Sequence, residues 1–137
     1  MALPSTGGGY QIGDGNTNEI DFDDLNLPVQ TATSTATLTT DQTLNRMLVG
    51  NPSTTAATYT LPTAASVEAV MTNMRVGKYF DFCVVNIGTS TGVITMAVGT
   101  GWTITGLATL PTAAAGSSAQ FRCVKTAAGA WTAYRIA

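Results

Sequence analysis

Apolar and polar residues alternate along most of the chain after residue 30, with the two-residue period of β-strands. The clearest alternation covers residues 78–87, where Phe80, Phe82 and Val84 share one face and the odd-numbered residues share the other. About eight such segments recur at spacings of roughly 8 to 12 residues, with turn residues between them. This rhythm predicts an all-β fold, specifically an antiparallel, jelly-roll-like β-sandwich of about eight strands.

One segment has the period of a helix instead. Within residues 64–74 the apolar side chains fall three or four positions apart and form a single stripe of Val67, Val70, Met71 and Met74. Thr63 precedes the stripe as a suitable N-cap, and Gly77 follows it as a stop signal. We therefore expect one short helix in the sandwich. The triplet Asp41-Gln42-Thr43 is predicted to form a turn.

The first 30 residues differ from the rest of the chain. Glycine and turn residues are frequent, as in Gly7-Gly8-Gly9 and Gly13-Asp14-Gly15-Asn16, and large apolar residues are sparse. We predict that residues 1–30 form an extended arm and that residues 31–137 form the sandwich domain. A disordered polar tail remains the alternative. Six apolar residues recur along the arm as candidate contacts with another protein: Tyr10, Ile12, Ile20, Phe22, Leu25 and Leu27.

Charge is scarce and unevenly distributed. Charged residues make up 10% of the chain, against roughly 25% in a typical soluble domain. The first 45 residues contain six acidic and no basic residues, whereas the remainder contains six basic and two acidic residues. An acidic arm on a mildly basic body favours docking onto another protein or a neighbouring copy. No basic run indicates a nucleic-acid partner.

The cysteines and the N-terminus bear on the compartment. Cys83 and Cys123 both lie in apolar, strand-like runs, which favours buried free thiols over a disulfide bridge. Residues 1–5 lack the charged and apolar regions of a signal peptide, and no apolar run approaches the ~20 residues needed to span a membrane. We therefore expect synthesis in the cytoplasm and no membrane partner.

The residue inventory disfavours catalysis and metal binding. The chain has no histidine, which removes the commonest general base, the commonest metal ligand and the Ser-His-Asp triad. Five of the eight carboxylates lie in the predicted arm, where two of them could not be held at a fixed separation. Residues 14–19 resemble the start of a calcium loop, but Glu19 and Leu25 occupy the positions that require Gly and Glu. We expect no enzyme activity, no metal and no cofactor.

Residues 61–136 resemble the β-rich domains of bacteriophage head decoration (cement) proteins and of head or tail fibres. The N-terminal Gly7-Gly8-Gly9-Tyr10-Gln11-Ile12-Gly13-Asp14-Gly15-Asn16 is similar to the starts of small phage virion proteins. The other segments that carry the resemblance are Leu61-Pro62-Thr63-Ala64-Ala65, Val76-Gly77-Lys78-Tyr79-Phe80-Asp81-Phe82, Val85-Asn86-Ile87-Gly88, Gly99-Thr100-Gly101-Trp102-Thr103-Ile104 and Trp131-Thr132-Ala133-Tyr134-Arg135.

The resemblance implies a structural role in a virion. Decoration proteins of this kind form trimers at threefold or quasi-threefold points on the capsid exterior, where they clamp subunits of the major capsid protein, and no catalytic residues belong to that role. The alternative is a small head-fibre or tail-fibre domain that binds a host receptor or glycan. Five aromatic residues could contact a sugar, although core packing is favoured for each: Tyr59, Tyr79, Trp102, Trp131 and Tyr134.

Overall fold

The computed structural model describes residues 29–106, 109–110 and 117–137. Within these ranges the fold is β-rich, as predicted, with ten strands and two helices. The six predicted arm contacts, Tyr10, Ile12, Ile20, Phe22, Leu25 and Leu27, lie outside the described residues. The elements in chain order are β1 (Gln30–Ala32), β2 (Ala36–Thr37), α1 (Thr40–Leu44), β3 (Met47–Gly50), β4 (Ala57–Thr60), α2 (Ala64–Val70), β5 (Tyr79–Asn86), β6 (Ile94–Ala97), β7 (Trp102–Thr105), β8 (Thr109–Leu110), β9 (Ser117–Ala127) and β10 (Ala130–Arg135).

The described strands form two sheets, and the chain alternates between them. The six-stranded sheet has the order β1-β3-β5-β9-β10-β7, and the four-stranded sheet has the order β2-β4-β6-β8. Every odd-numbered strand from β1 to β7 enters the first sheet, and every even-numbered strand from β2 to β8 enters the second. Strands β1, β3 and β5 are parallel to one another, as are β2, β4 and β6. From β1 to β6, each successive pair of strands therefore extends both sheets together, as one coil of a short solenoid.

The predicted antiparallel pairing is wrong for most of the described ladders. Five of the eight strand pairings are parallel, and only β5–β9, β9–β10 and β6–β8 are antiparallel. Alternation along a strand specifies its inner and outer faces, whereas the direction of its partner depends on the connection. Successive strands such as β5 and β6 lie in different sheets, so the loop between them is not a hairpin.

The core lies between the two sheets and includes buried residues of β1, β3, β4, β5, β6, β7, β9 and β10. Phe80, Phe82 and Val84 of β5 are buried, as their alternation predicts. Tyr59 of β4 is fully buried, and its hydroxyl donates a hydrogen bond of 2.7 Å to the carbonyl oxygen of Ala32 on β1. This bond connects the two sheets directly. Gly50 on β3 lies so close to Ile94 and Tyr59 that a Cβ atom there would overlap both side chains.

The predicted helix forms but is shorter than the apolar stripe. Its N-cap is Thr63, as predicted, whose Oγ1 accepts a hydrogen bond from the Ser66 backbone N–H at 3.1 Å. The helix ends at Val70 because Met71 leaves the helical conformation, with φ −94° and ψ 59°. Thr72 and Asn73 follow, and both residue types favour caps and turns over helix interiors. Met71 and Met74 nevertheless pack against the core.

A second helix, α1, occupies the position where a turn was predicted. Thr39 and Gln42 form a capping box: Thr39 Oγ1 accepts from the Gln42 backbone N–H at 3.1 Å, and Gln42 Oε1 accepts from the Thr39 backbone N–H at 2.9 Å. The reciprocal pair satisfies two backbone donors that a helix start leaves unpaired. The sequence pattern Thr-x-x-Gln contains this signal, so the prediction of a turn at residues 41–43 was wrong.

Candidate assembly surface

The outer face of the six-stranded sheet carries a cluster of large side chains in register. On neighbouring strands Asp81 lies opposite Arg122, and Arg122 lies opposite Tyr134. Cys83 lies opposite Met47 in the same way. Tyr79, Tyr134 and Met47 are exposed by 52%, 41% and 40%, and a group of exposed large side chains on one face of a sheet is typical of an interaction surface. We define the tyrosine–arginine face by the residues Met47, Tyr79, Asp81, Cys83, Arg122 and Tyr134.

Arg122 is the organising residue of this face. Its guanidinium group donates two hydrogen bonds to the Asp81 carboxylate, Nε to Oδ1 and Nη2 to Oδ2, each at 2.9 Å. The Arg122 Cζ atom also lies 4.1 Å from the centroid of the Tyr79 ring, a cation–π contact. The hydrogen bonds from Arg122, which outweigh the effect of partial burial, lower the pKa of Asp81, and the charges of Arg122 and Arg46 act in the same direction. The bidentate pair therefore holds Arg122 in one orientation.

A second surface lies where α2 leads into β5. Two shallow depressions, of about 350 and 280 Å³, adjoin at Met71 and Met74, which line both of them, and are described together as one groove. We call it the α2–β5 groove. Val70 lines the larger cavity, and Tyr79 lines the smaller one. The full lining consists of Arg46, Val70, Met71, Thr72, Asn73, Met74, Tyr79, Phe80 and Asp81.

Glu68 on α2 holds the helix against the end of the β9–β10 hairpin. Its Oε1 atom accepts from the Gly129 backbone N–H at 2.9 Å and from the Trp131 indole Nε1 at 3.1 Å, and it lies 3.2 Å from Lys125 Nζ. Partial burial acts to raise the pKa of Glu68, but these hydrogen bonds together with the Lys125 charge outweigh it and lower the pKa. Glu68 is thus ionised and paired, and it fastens one element to another.

Glu68 and Asp81 each have a cationic partner of their own. Glu68 is paired with Lys125, and Asp81 is paired with Arg122. Across the described ranges, no group of three or more His, Cys, Asp or Glu residues is placed to hold a metal ion. Among the same residues, no helix is long and apolar enough to cross a membrane.

The aromatic candidates for sugar contact divide into two groups. Tyr59, Trp102 and Trp131 are buried, as predicted. The two tryptophan rings stack with centroids 5.6 Å apart, and the Trp102 Nε1 is the buried side-chain polar atom without a partner among the described residues. Tyr79 and Tyr134 are exposed, so core packing was the wrong prediction for both. Alternation along a strand could not show whether another layer covers the outer face.

Both cysteines are free, as the sequence favoured. Cys123 is inward-facing and buried, and burial, together with the negative charge of Asp81, raises the pKa of its thiol to about 12. Cys83 is half-buried and faces outward on the neighbouring strand, and burial raises the pKa of its thiol as well. Because the two side chains leave the sheet on opposite faces, a bridge between them does not form.

Comparison of the chain with protein-family models, curated proteins and solved structures found no match. The sequence predicted which residues of β5 face outward. It did not predict that Asp81 and Arg122 meet, because that contact depends on the register between two strands that are about 40 residues apart. The one available signal was that two strands with alternating apolar residues each carry a charged residue among them, Asp81 in one and Arg122 in the other, and that these charges are opposite.

Proposed function

We propose that this protein is a non-enzymatic viral structural protein that decorates and stabilises an icosahedral bacteriophage capsid, as a homotrimer bridging subunits of the major capsid protein. The observation that carries the proposal is the tyrosine–arginine face. Tyrosine, arginine and methionine are the residue types enriched at protein interfaces, and here Tyr79, Arg122 and Met47 share one face of a sheet. The resemblance of residues 61–136 to phage decoration proteins supports the same role.

In this proposal the sandwich and the arm have different tasks. The tyrosine–arginine face supplies contact between copies, and the arm, residues 1–30, reaches onto neighbouring capsid subunits through Tyr10, Ile12 and other apolar residues. Three arms in one trimer bind together, so weak single contacts add up to firm attachment. The protein is synthesised in the host cytoplasm and ends on the capsid exterior. The role requires no cofactor, nucleic acid or membrane.

The fixed Arg122 explains why this face suits assembly. A side chain already held by Asp81 and Tyr79 loses little conformational entropy when a partner covers it. The Asp81 carboxylate stays bound to Arg122, so a partner that covers the face does not bury an unpaired charge. Burial of an unpaired charge would cost several kcal/mol. An interface can therefore form over this ion pair without breaking it.

A second candidate function is adhesion, as a small head-fibre or tail-fibre domain. The exposed rings of Tyr79 and Tyr134 favour it, because an accessible aromatic ring can stack on a sugar of a host glycan or receptor. The two functions place different molecules on the same face: another copy of the chain in the first, and a carbohydrate in the second.

The test of the proposed function is assembly and capsid binding by the full chain. Size-exclusion chromatography with light scattering should give the mass of a trimer at micromolar concentration, and the protein should saturate expanded capsids that lack decoration protein. Tyr134→Asp should reduce the trimer to monomers, because it places a second carboxylate opposite Arg122. Val98→Asp is the matched control, since Val98 is 42% exposed and lies outside the tyrosine–arginine face.

The arm is tested separately. Deletion of residues 2–27 should leave a folded sandwich, with unchanged circular dichroism, that no longer occupies capsids. A protein that is strictly monomeric and indifferent to capsids contradicts the decoration role. Binding of that monomer to a glycan array, lost in Tyr79→Ser, would favour the adhesive function instead.

A further inference from the structure

The α2–β5 groove combines an apolar floor with exposed cations. Met71 and Met74 line both of its cavities, and methionine adapts its shape to different apolar partners. Val70 and Val76, beside the groove, are exposed by 58% and 62%, the latter the highest value among the large apolar side chains of the described residues. An apolar surface of this kind at the end of a domain indicates a binding site for another chain segment.

Cationic residues border the groove. Arg75 and Lys78 lie between the lining residues Met74 and Tyr79 in a tight turn, in which the Lys78 backbone N–H donates to the Arg75 carbonyl at 3.1 Å. Both side chains are exposed, and neither forms a salt bridge within the described part of the chain. Arg46 and Asp81 also line the groove, with opposite charges, and the Asp81 carboxylate is bound by Arg122. A segment that fits this site would therefore carry apolar residues interleaved with acidic ones.

The chain itself contains such a segment. Residues 19–25 read Glu-Ile-Asp-Phe-Asp-Asp-Leu, with four acidic and three apolar residues. Ile20 and Phe22 are two positions apart, as are Asp21 and Asp23, so an extended segment would present its apolar side chains to the groove and carboxylates to the opposite side. Arg75 and Lys78 border the groove and would attract these carboxylates. Residues 1–28 contain five acidic residues and no basic one.

The connection to the described fold is long enough for this contact. Gln30 at the start of β1 lies in register with Leu48, and Leu48 with Val84, five residues beyond Tyr79 along β5. Two strand spacings of ~4.8 Å and five residues of ~3.3 Å place Gln30 about 19 Å from Tyr79. About six extended residues span that distance. The groove is therefore within the span of an extended chain that runs back from Gln30 to about position 23.

We infer that the α2–β5 groove binds residues 19–25 of the same chain. This contact fixes the base of the arm on the body, and residues 1–18 extend from it, including Tyr10 and Ile12. The inference goes beyond the proposed function, because the contact is made within one chain and does not require a capsid. It assigns the segment with Ile20 and Phe22 to the body and leaves only the first part of the arm for other partners.

The test is hydrogen exchange of the full chain, measured by mass spectrometry. In the wild-type protein the amides of residues 19–25 should exchange at least roughly tenfold more slowly than in a free peptide of the same sequence, because a bound segment must open before exchange. The double variant Arg75→Glu with Lys78→Glu should remove most of that protection. Adding Asp21→Lys and Asp23→Lys to that variant should restore it. Arg135→Glu is the control, because it reverses one charge away from the groove.

The outcomes are distinct. Exchange of residues 19–25 at the free-peptide rate in the wild type overturns the inference, as does protection that Arg75→Glu with Lys78→Glu leaves unchanged. Protection that disappears on dilution to nanomolar concentration assigns the segment to a neighbouring copy and overturns the same-chain assignment. Because Arg75 and Lys78 are exposed, the variants should retain the wild-type melting temperature. None of these outcomes depends on capsid binding, so the inference and the proposed function can fail independently.

Discussion

Glu68 and Trp131 connect the surface helix to the centre of the core. The Glu68 Oε1 atom accepts a hydrogen bond of 3.1 Å from the indole Nε1 of Trp131, a side chain that is only 1% exposed. The Trp131 ring in turn lies 5.6 Å, centroid to centroid, from both Phe80 and Trp102. The orientation of α2, and with it the α2–β5 groove, is thus fixed by the aromatic residues between the sheets.

We expect Glu68→Gln to lower the melting temperature at pH 7, because the amide cannot replace the charge that faces Lys125. The pKa of Glu68 is lower in the folded protein than its ordinary value of about 4.3. Its contribution is therefore fully present above that ordinary value and is lost as the pH falls through the folded value. The difference in melting temperature between wild type and variant should therefore shrink as the pH falls from about 5 to about 3, where Glu68 becomes protonated in the wild type. Parallel melting curves across that range would refute the assignment.

Tyr59→Phe tests the bond between the sheets. Removing the hydroxyl deletes the 2.7 Å hydrogen bond to the Ala32 carbonyl, which also accepts from the Asn51 backbone N–H at 2.8 Å. Because the carbonyl keeps one partner, we expect a loss of about 1 kcal/mol in the free energy of unfolding. Urea denaturation measures this change. Tyr134→Phe, at an exposed position, should change the free energy by less than about 0.5 kcal/mol.

Gly50→Ala tests how closely the sheets approach. The added Cβ would overlap the Ile94 Cδ1 atom and the Tyr59 ring, so we expect a loss of about 1–3 kcal/mol in unfolding free energy. Ile94→Val removes the overlapping Cδ1 atom and should itself cost about 0.5–1.5 kcal/mol. The loss in the double variant should be smaller than the sum of the two single losses, because Ile94→Val makes room for the Cβ atom that Gly50→Ala adds. Strict additivity would mean that Gly50 and Ile94 do not meet.

The two thiols should differ in reactivity. Thiolate is the reactive form, and burial raises the pKa of both Cys83 and Cys123, the latter to about 12. We expect maleimide at pH 7 to label the half-buried Cys83 slowly and to leave Cys123 unmodified until the protein is denatured. Mass spectrometry after digestion measures both. An oxidant that produced an intramolecular disulfide in the folded protein would contradict the placement of the thiols on opposite faces.

The sequence was most informative about single strands. Alternation in β5 placed Phe80, Phe82 and Val84 in the core, and Thr63 marked the start of α2, because both signals are local. The capping box of Thr39 and Gln42 was an equally local signal for α1. Helix α1 has only five residues, so its segment resembles a turn in a chain rich in threonine.

The sequence was least informative about relations between strands. The residues of β1, β3 and β5 do not specify a parallel direction, which follows from connections that cross between the sheets. The groove was missed for a similar reason. Met71 and Met74 fit a helical stripe, and only the weak helix propensity of Thr72 and Asn73 indicated that the helix ends at Val70 and leaves both methionines beside Tyr79 and Phe80.

The alternation of the chain between the two sheets gives the domain a unit of growth. A strand from each sheet, with the arch between them, is a complete layer, so inserting or deleting one such layer between β4 and β5 would lengthen or shorten both sheets equally. The antiparallel strands β9 and β10 end this stacking on the other side. A domain of this design can vary its height while the surface presented by its terminal hairpin stays the same.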